Sequence, residues 1–340
     1  HIIITMNSEI DFNRIINNYK ISAEDPDKLR LSKFWQHQNK LKNVLQINEK
    51  DLINFRSNIL SQTLDPGNKY SIDEEKECKQ VSYFFDFFVK SKNNLHVFTE
   101  SGIGNPYITK IKGIEVNRSS IINGFFYNLI KQKCKNCQVI VEIGGGYGGL
   151  AGLFNKNHMV DYYIYDLPEA LLMQTYFLSN LVPNKYFNLV DNYHKKQTSD
   201  CIHLLTPDFI RDLNNSSVDA FINMFGMQEM DIETVNFYLS EADRVLKDQG
   251  ILVLANRMKK STKISDYKIP NTFDLVEFSL LDVHIFPKLT FLIILRKKLH
   301  QPKNITVTNI LSQFKEESSL SLLFAPIRYY FKIIINKFFS

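Results

Sequence analysis

Five of the six residues in Gly144-Gly145-Gly146-Tyr147-Gly148-Gly149 are glycine, and they follow directly on the apolar run Val139-Ile140-Val141-Glu142-Ile143. The short β-branched run reads as a buried strand, and the glycines after it force a tight turn. Leu150, Ala151, Leu153 and Phe154 then begin a helix. Strand, glycine turn and helix form a cradle of the nucleotide-binding type. The missing Cβ atoms let the backbone approach a ligand, and the helix N-terminus offers unpaired N–H groups.

Two ligand classes use such a cradle. Gly144, Gly146 and Gly149 satisfy the dinucleotide spacing G-x-G-x-x-G, which alone is a weak signal. Gly144, Gly146 and Gly148 also satisfy G-x-G-x-G, with Glu142 two residues ahead of the first glycine. A carboxylate at that strand end suits a cationic cofactor, whose ammonium it balances, and would repel a pyrophosphate. The residues therefore favour S-adenosylmethionine over NAD. An NAD-dependent oxidoreductase is the rival reading, and a non-catalytic cofactor-binding partner of a glycan-assembly complex is a third.

Downstream, strands and helices alternate. Tyr162-Tyr163-Ile164-Tyr165 is a second strand ending at Asp166, 24 positions after Glu142, where an acid can accept both ribose hydroxyls. Pro168 and Glu169 open the next helix, because proline lacks the N–H that would be orphaned there. Cys201 to Leu205 is a third strand, and Thr206 just after it is a candidate neighbour of the adenine. Val218 to Asn223 is a fourth strand; Asn223 at its end completes the cofactor candidates Glu142, Gly144, Gly146, Gly148, Asp166 and Thr206. Asp231 opens a helix whose stripe Val235, Leu239, Ala242, Leu246 faces the sheet, with Gln249-Gly250 expected to end it. Ile251 to Leu254 is a fifth strand and Leu289 to Leu295 a late one. The alternation predicts an α/β, Rossmann-like, doubly wound and mostly parallel sheet. The late hairpin-like strand fits the class I methyltransferase variant, whose last strand is antiparallel.

Glu142 to Leu150, Tyr165-Asp166-Leu167-Pro168-Glu169, Gln228-Glu229-Met230 and the Gly104-Asn105-Pro106 loop together resemble the sugar O-methyltransferase family of bacterial polysaccharide gene clusters. The resemblance spans roughly residues 95 to 297. It implies methyl transfer from S-adenosylmethionine to a sugar hydroxyl of lipopolysaccharide, capsule or a related glycan, with a lipid- or nucleotide-linked acceptor among the options. Residues 1–94 and 300–340 carry no matching motif, so the acceptor's identity is not set by it.

Methyl transfer is an in-line displacement that depends on positioning, and a sugar hydroxyl gains from a general base. Glu229, after the fourth strand at the carboxyl edge of the sheet, is the first candidate; its competing role is a helix-entry carboxylate favoured by the dipole. His284, between the late strands, is the second candidate, while His203 within a strand reads as structural. No acidic cluster marks a metal site.

Residues 1–115 read as a helical cap, 116–300 as the cofactor-binding domain and 301–340 as an amphipathic tail. In the cap, Leu41, Val44 and Leu45, then Leu52, Phe55 and Ile59, then Val81, Phe84, Phe85 and Phe88 recur at helical spacing, with a turn at Asp65-Pro66-Gly67. The shaped loop Glu100 to Tyr107 either folds over a ligand or links cap to core; spacing does not separate the two. In the tail, Ile327, Phe331, Ile334 and Phe338 share a helical face while Arg328, Lys332 and Lys337 lie elsewhere. Such a helix docks on the core, on a second subunit or on an anionic inner membrane, and docking on protein is the commoner use.

A net charge of +5 over 340 residues, with cations scattered among acids, gives no basic stripe of the kind nucleic-acid binding wants. No apolar run reaches the ~18 residues of a membrane span. His1 to Thr5 is too short for a signal peptide, and Met6 is the expected natural start. Cys78, Cys134, Cys137 and Cys201 form no disulfide framework, and the expectation is plain thiols in a cytoplasmic protein peripheral, at most, to the inner membrane.

Overall fold

The computed structural model describes residues 10–23, 47–58, 69, 73–89, 94–193, 199–281 and 290–298. Helix starts are written locally. Asp11 caps α1 (Phe12–Ser22), and Asn48 forms a capping box with Asp51 at α2 (Glu49–Ile53). Asp73 accepts from Lys76 N at α3 (Glu74–Phe88). A short antiparallel hairpin, β1 (Thr109–Ile111) with β2 (Ile114–Val116), breaks the helical character expected of the cap. Asn117 then caps α4 (Arg118–Lys133) through a box with Ser120. Each such cap satisfies an orphan N–H and stabilises its helix by about 1 kcal/mol.

The core follows as β3 (Val139–Ile143), α5 (Gly149–Asn157), β4 (Asp161–Tyr165), α6 (Pro168–Leu181), β5 (Tyr186–Leu189), β6 (Cys201–Leu205), β7 (Val218–Met224), α7 (Ile232–Val245), β8 (Leu246–Arg257), β9 (Phe273–Leu281) and β10 (Thr290–Lys297). They form an eight-stranded sheet in the order β5-β6-β4-β3-β7-β8-β10-β9. Neighbours from β5 to β8 are parallel, whereas β10 runs antiparallel between β8 and β9. This is a Rossmann-like, mostly parallel sheet with an antiparallel strand inserted next to its last edge strand. The alternation of side chains divides the core by face. Ile140, Tyr162, Ile164, Ile222 and Val253 pack with α4, α5, α6 and the cap, while Val141, Phe221 and Leu252 pack with α7.

Three differences from the sequence reading have local causes. β5 and β9 were not anticipated: β5 is four residues long, and β9 carries an irregularity opposite Ile294/Leu295 that spoils its alternation. Helix α7 stops at Val245, ahead of Gln249-Gly250, and β8 begins at once. Residues 247–250 bulge opposite Asp219, with Gln249 at φ 64°, so the turn signal marks a bulge inside the strand. Cys134 and Cys137 are joined as a disulfide, Cα atoms 5.6 Å apart, which corrects the expectation of plain thiols at that pair. α4 ends at Lys133 and the chain reverses within a few residues to enter β3, bringing the two together; Cys78 and Cys201 are free.

His1 to Thr5, Leu41, Val44, Leu45, Ile59, the Asp65–Gly67 turn, His284 and the tail 301–340 lie outside the described residues. Among those described, no helix is long and apolar enough to cross a membrane.

Candidate functional site

β3 lies between β4 and β7, so successive connections leave it in opposite directions and a crevice opens at the carboxyl ends of these strands. The glycine turn sits at that point. Gly144, Gly146 and Gly148 have φ of 71°, 60° and 93°, conformations that side chains resist, and the turn is closed by Gly148 N donating to Gly145 O at 2.9 Å. Gly144 N donates to Tyr165 O at 3.0 Å, pinning the turn to the end of β4.

Four acids occupy this edge, in different states. Glu142 is fully buried on the α4–α6 face; Tyr162 donates its hydroxyl to Oε2 at 2.9 Å, and Oε1 has no hydrogen-bond partner. Burial, helped by the charge of Asp166, pushes its pKa up to about 8. Asp166 is half-buried and accepts from Leu167 N at 2.8 Å and Gln174 Nε2 at 2.7 Å, and from the N–H groups of Gly145 and Gly146. Burial outweighs these bonds and raises its pKa to about 7. Glu169, in the first turn of α6, is raised to about 7 by burial and by Asp166, and its Oε2 has no partner. Glu229 is held differently, by an ion pair with Lys260 and by Gln228 Nε2 at 3.4 Å.

The other expected cofactor residues are engaged within the frame. Thr206 Oγ1 donates to Asp208 Oδ1 at 2.6 Å at the entry of the 3-10 turn Pro207–Asp212. Asn223 donates to Ile143 O at 2.8 Å and accepts from Met227 N at 3.0 Å and Asn256 Nδ2 at 2.9 Å. Its amide thus ties the ends of β3, β7 and β8 together beneath the crevice. Phe225, next in line, is held at φ 62° with its N donating to Ala255 O at 2.7 Å, a strained backbone at the sheet's working edge. Glu229 follows in the 3-10 turn Met227–Glu229, and Ser261 N bonds Gln228 O at 3.1 Å, so the 258–264 hairpin carrying Lys260 folds onto this turn. His203 is buried away from this edge, stacked on Tyr163 at 3.8 Å, its pKa lowered to about 3 by burial.

Several residues of the site escaped the sequence reading. Gln174 bridges Asp166 and Gly146 O, the latter at 2.9 Å, and braces the turn from α6. Its position eight residues after Asp166, two helical turns in, is the one signal that points there. Glu169 was read only as a helix-opening acid. Lys260 and Arg56 reach the site from 31 residues beyond Glu229 and from the cap, and nothing local announces them.

The sequence matches no protein-family model and no curated protein. Solved structures resemble it at low scores. A magnesium protoporphyrin IX methyltransferase from Synechocystis PCC 6803 with bound SAH is 12% identical at a TM-score of 0.40, covering 52% of this chain and 82% of its own. A SAM-dependent methyltransferase from Aquifex aeolicus is 14% identical at 0.35, covering 50% and 88%. The [4+2]-cyclase SpnF is 9% identical at 0.38, covering 67% and 96%. At such scores the ligands and reactions of these proteins stay with them, and the reading of this site rests on its own residues.

Proposed function

We propose that the chain is an S-adenosylmethionine-dependent O-methyltransferase whose acceptor is a sugar hydroxyl of a surface glycan. One observation carries the cofactor half: Glu142, fully buried under the glycine turn, has an oxygen with no donor and a pKa of about 8. A carboxyl kept in that state gains most from a cationic partner, and the amino-acid end of S-adenosylmethionine supplies an ammonium. Gly144, Gly146 and Gly148 would receive the ligand through backbone. Asp166 is the ribose acceptor, with Glu169 as a second acid beside it. Thr206 borders the adenine through its backbone, and Asn223 acts beneath the ligand by fixing the ends of β3, β7 and β8.

When bound, the cofactor supplies an electrophilic methyl group. The chain's own part is to orient the acceptor oxygen and take its proton. Glu229 is the proposed base, at a carboxylate oxygen. Lys260, paired with Oε1 of that carboxylate, orients it toward the acceptor side. The sugar acceptor rests on the family resemblance alone, as does a place among cytoplasmic glycan-building enzymes. The cap, the core and the tail are assigned parts as acceptor-side cover, cofactor domain and docking element, the last on the core, a second copy or an anionic membrane.

Calorimetric titration with S-adenosylmethionine and S-adenosylhomocysteine, alongside fluorescence titration with NADH, tests the cofactor. Binding of the first two and not the third is expected; NADH binding alone would overturn the reading. Mass spectrometry of the organism's surface glycan with and without the gene then tests the acceptor, and an unchanged methylation pattern would reject a sugar of that glycan.

A further inference from the structure

Of the residues from Gly144 to Gly149, only Tyr147 carries a side chain. Glycine loses more freedom on ordering than any other residue, and a ligand that must first order its own cradle binds more weakly by that cost. Asp166, Gln174 and Tyr165 hold the turn through its backbone; Tyr147 is the one side chain the turn itself offers, and it is buried and gripped on three sides. Phe177 meets its ring edge-on at 4.8 Å, and Asn123 Nδ2 donates to its hydroxyl at 3.0 Å. Across its face lies Arg56, the guanidinium carbon 4.1 Å from the ring centroid.

Arg56 comes from the cap and is itself held rigidly. Its Nη1 and Nη2 donate to the two oxygens of Glu100 at 2.8 and 3.0 Å, and the paired side chains are 0% and 3% exposed. Its backbone N donates to Gly104 O at 2.8 Å. Gly104 sits at φ 83°, and a Cβ there would collide with the Phe55 ring and stand 2.9 Å from Arg56 Cγ. Ser101 N also donates to Glu100 at 2.8 Å. The shaped loop 100–104 is therefore wrapped around one guanidinium, which lies over the ring of Tyr147. A planar fork can make two parallel bonds to a carboxylate and stack at the same time; an ammonium cannot.

We propose that Arg56 is a positioning residue for the cofactor: anchored by Glu100, it presses on Tyr147 and keeps the glycine turn in its ligand-receiving shape before the ligand arrives. The inference rests on the turn being the S-adenosylmethionine cradle. It gives the cap a part in binding that is exerted through Tyr147.

The test is a double-mutant cycle on the full chain, with Arg56→Lys, Tyr147→Leu and the combination, each shown to be folded by circular dichroism well below its melting midpoint. The dissociation constant for S-adenosylhomocysteine is the readout. Loss of the guanidinium from the ring should weaken binding by about 3- to 30-fold, the span from an exposed to a desolvated cation on an aromatic face. In the Tyr147→Leu background, Arg56→Lys should add almost nothing, because its handle is gone. Amide exchange of residues 144–149 in the ligand-free protein should quicken in both single variants. Lower melting points with an unchanged dissociation constant and unchanged exchange would mark Arg56 as structural and overturn the inference, as would fully additive losses. Should Arg56→Lys not fold, Tyr147→Leu decides alone, since it leaves the Arg56–Glu100 pair in place; an unchanged dissociation constant there overturns the proposal. Failure of the wild type to bind S-adenosylhomocysteine would instead remove the functional reading and this inference with it.

Discussion

Glu100 and Glu142 are both carboxylates taken out of water, and their surroundings differ in one respect. Glu100 has a guanidinium across it and N–H donors from Ser101 and Gly102. Burial would raise its pKa, but the charge and hydrogen bonds of Arg56, with those backbone donors, win and hold it below the ordinary carboxylate range. Glu142 has one tyrosine hydroxyl, a bare oxygen and another acid for a neighbour. The first is complete as it stands. The second leaves an oxygen open, the place that the proposed cofactor's ammonium would fill. Glu229 stands between them, partnered by a lysine that is itself part-exposed.

The largest effect belongs to that intermediate case. Glu229→Gln should lower turnover by ~10²–10⁴-fold, the contribution of a positioned base, while leaving cofactor affinity and melting temperature near wild type. Near-normal turnover would make Glu229 a helix-entry carboxylate, and lost cofactor binding would place it in the cradle. Next comes the satisfied pair. Arg56→Met strands a buried charge on Glu100, and urea unfolding should show a loss of about 3–5 kcal/mol. A loss below 1 kcal/mol would mean that Glu100 escapes to solvent and that the contrast with Glu142 is false. Asp166→Ala should weaken S-adenosylmethionine binding by about 1.5–3 kcal/mol, the range for charge-assisted hydrogen bonds. Asp166→Asn, which keeps a group to accept from Gly145 and Gly146, separates loss of the ribose contact from loosening of the turn.

What was legible in the sequence follows the range of the forces involved. The β3 run, the glycines, Asp166 and the Pro168 helix start are short-range signals, and each sits where its local chemistry puts it. Asp231 was likewise readable, because a cap bonds three residues ahead, here to Thr234 N. The Arg56–Glu100 pair joins positions 44 apart, and an arginine amid an apolar pattern reads as an exposed face until the partner is placed. Lys260 is hidden for the same reason. β5, four residues with no room for a period to develop, was legible only through its pairing with β6. Glu169 was visible but given one role, because nothing in a sequence says that a first-turn acid will be buried.

The smallest predicted effect is also the sharpest test of the difference between Glu100 and Glu142, because the two acids should respond to pH in opposite directions. Glu142 has a folded pKa of about 8 against an ordinary 4.5. Between those values the folded chain holds a proton that the unfolded chain has released. Stability from this group is therefore full below about pH 4.5 and falls as pH rises toward about 8. Glu100, held low, contributes stability that is present above the ordinary carboxylate pKa and fades only as pH falls through its lowered value. Melting curves of the ligand-free chain from pH 5 to 9 should decline with pH, and Glu142→Gln should flatten the decline, less than completely because Asp166 and Glu169 are raised to about 7 and add to it. A cationic ligand reverses the preference by stabilising the ionised form, so binding should release protons and tighten with pH across the same interval. Calorimetry in buffers of different ionisation enthalpy reads that release. If Glu142→Gln leaves both the melting slope and the proton release as they are in the wild type, Glu142 is an inert core acid, and the cation must be met by Asp166 and Glu169 instead.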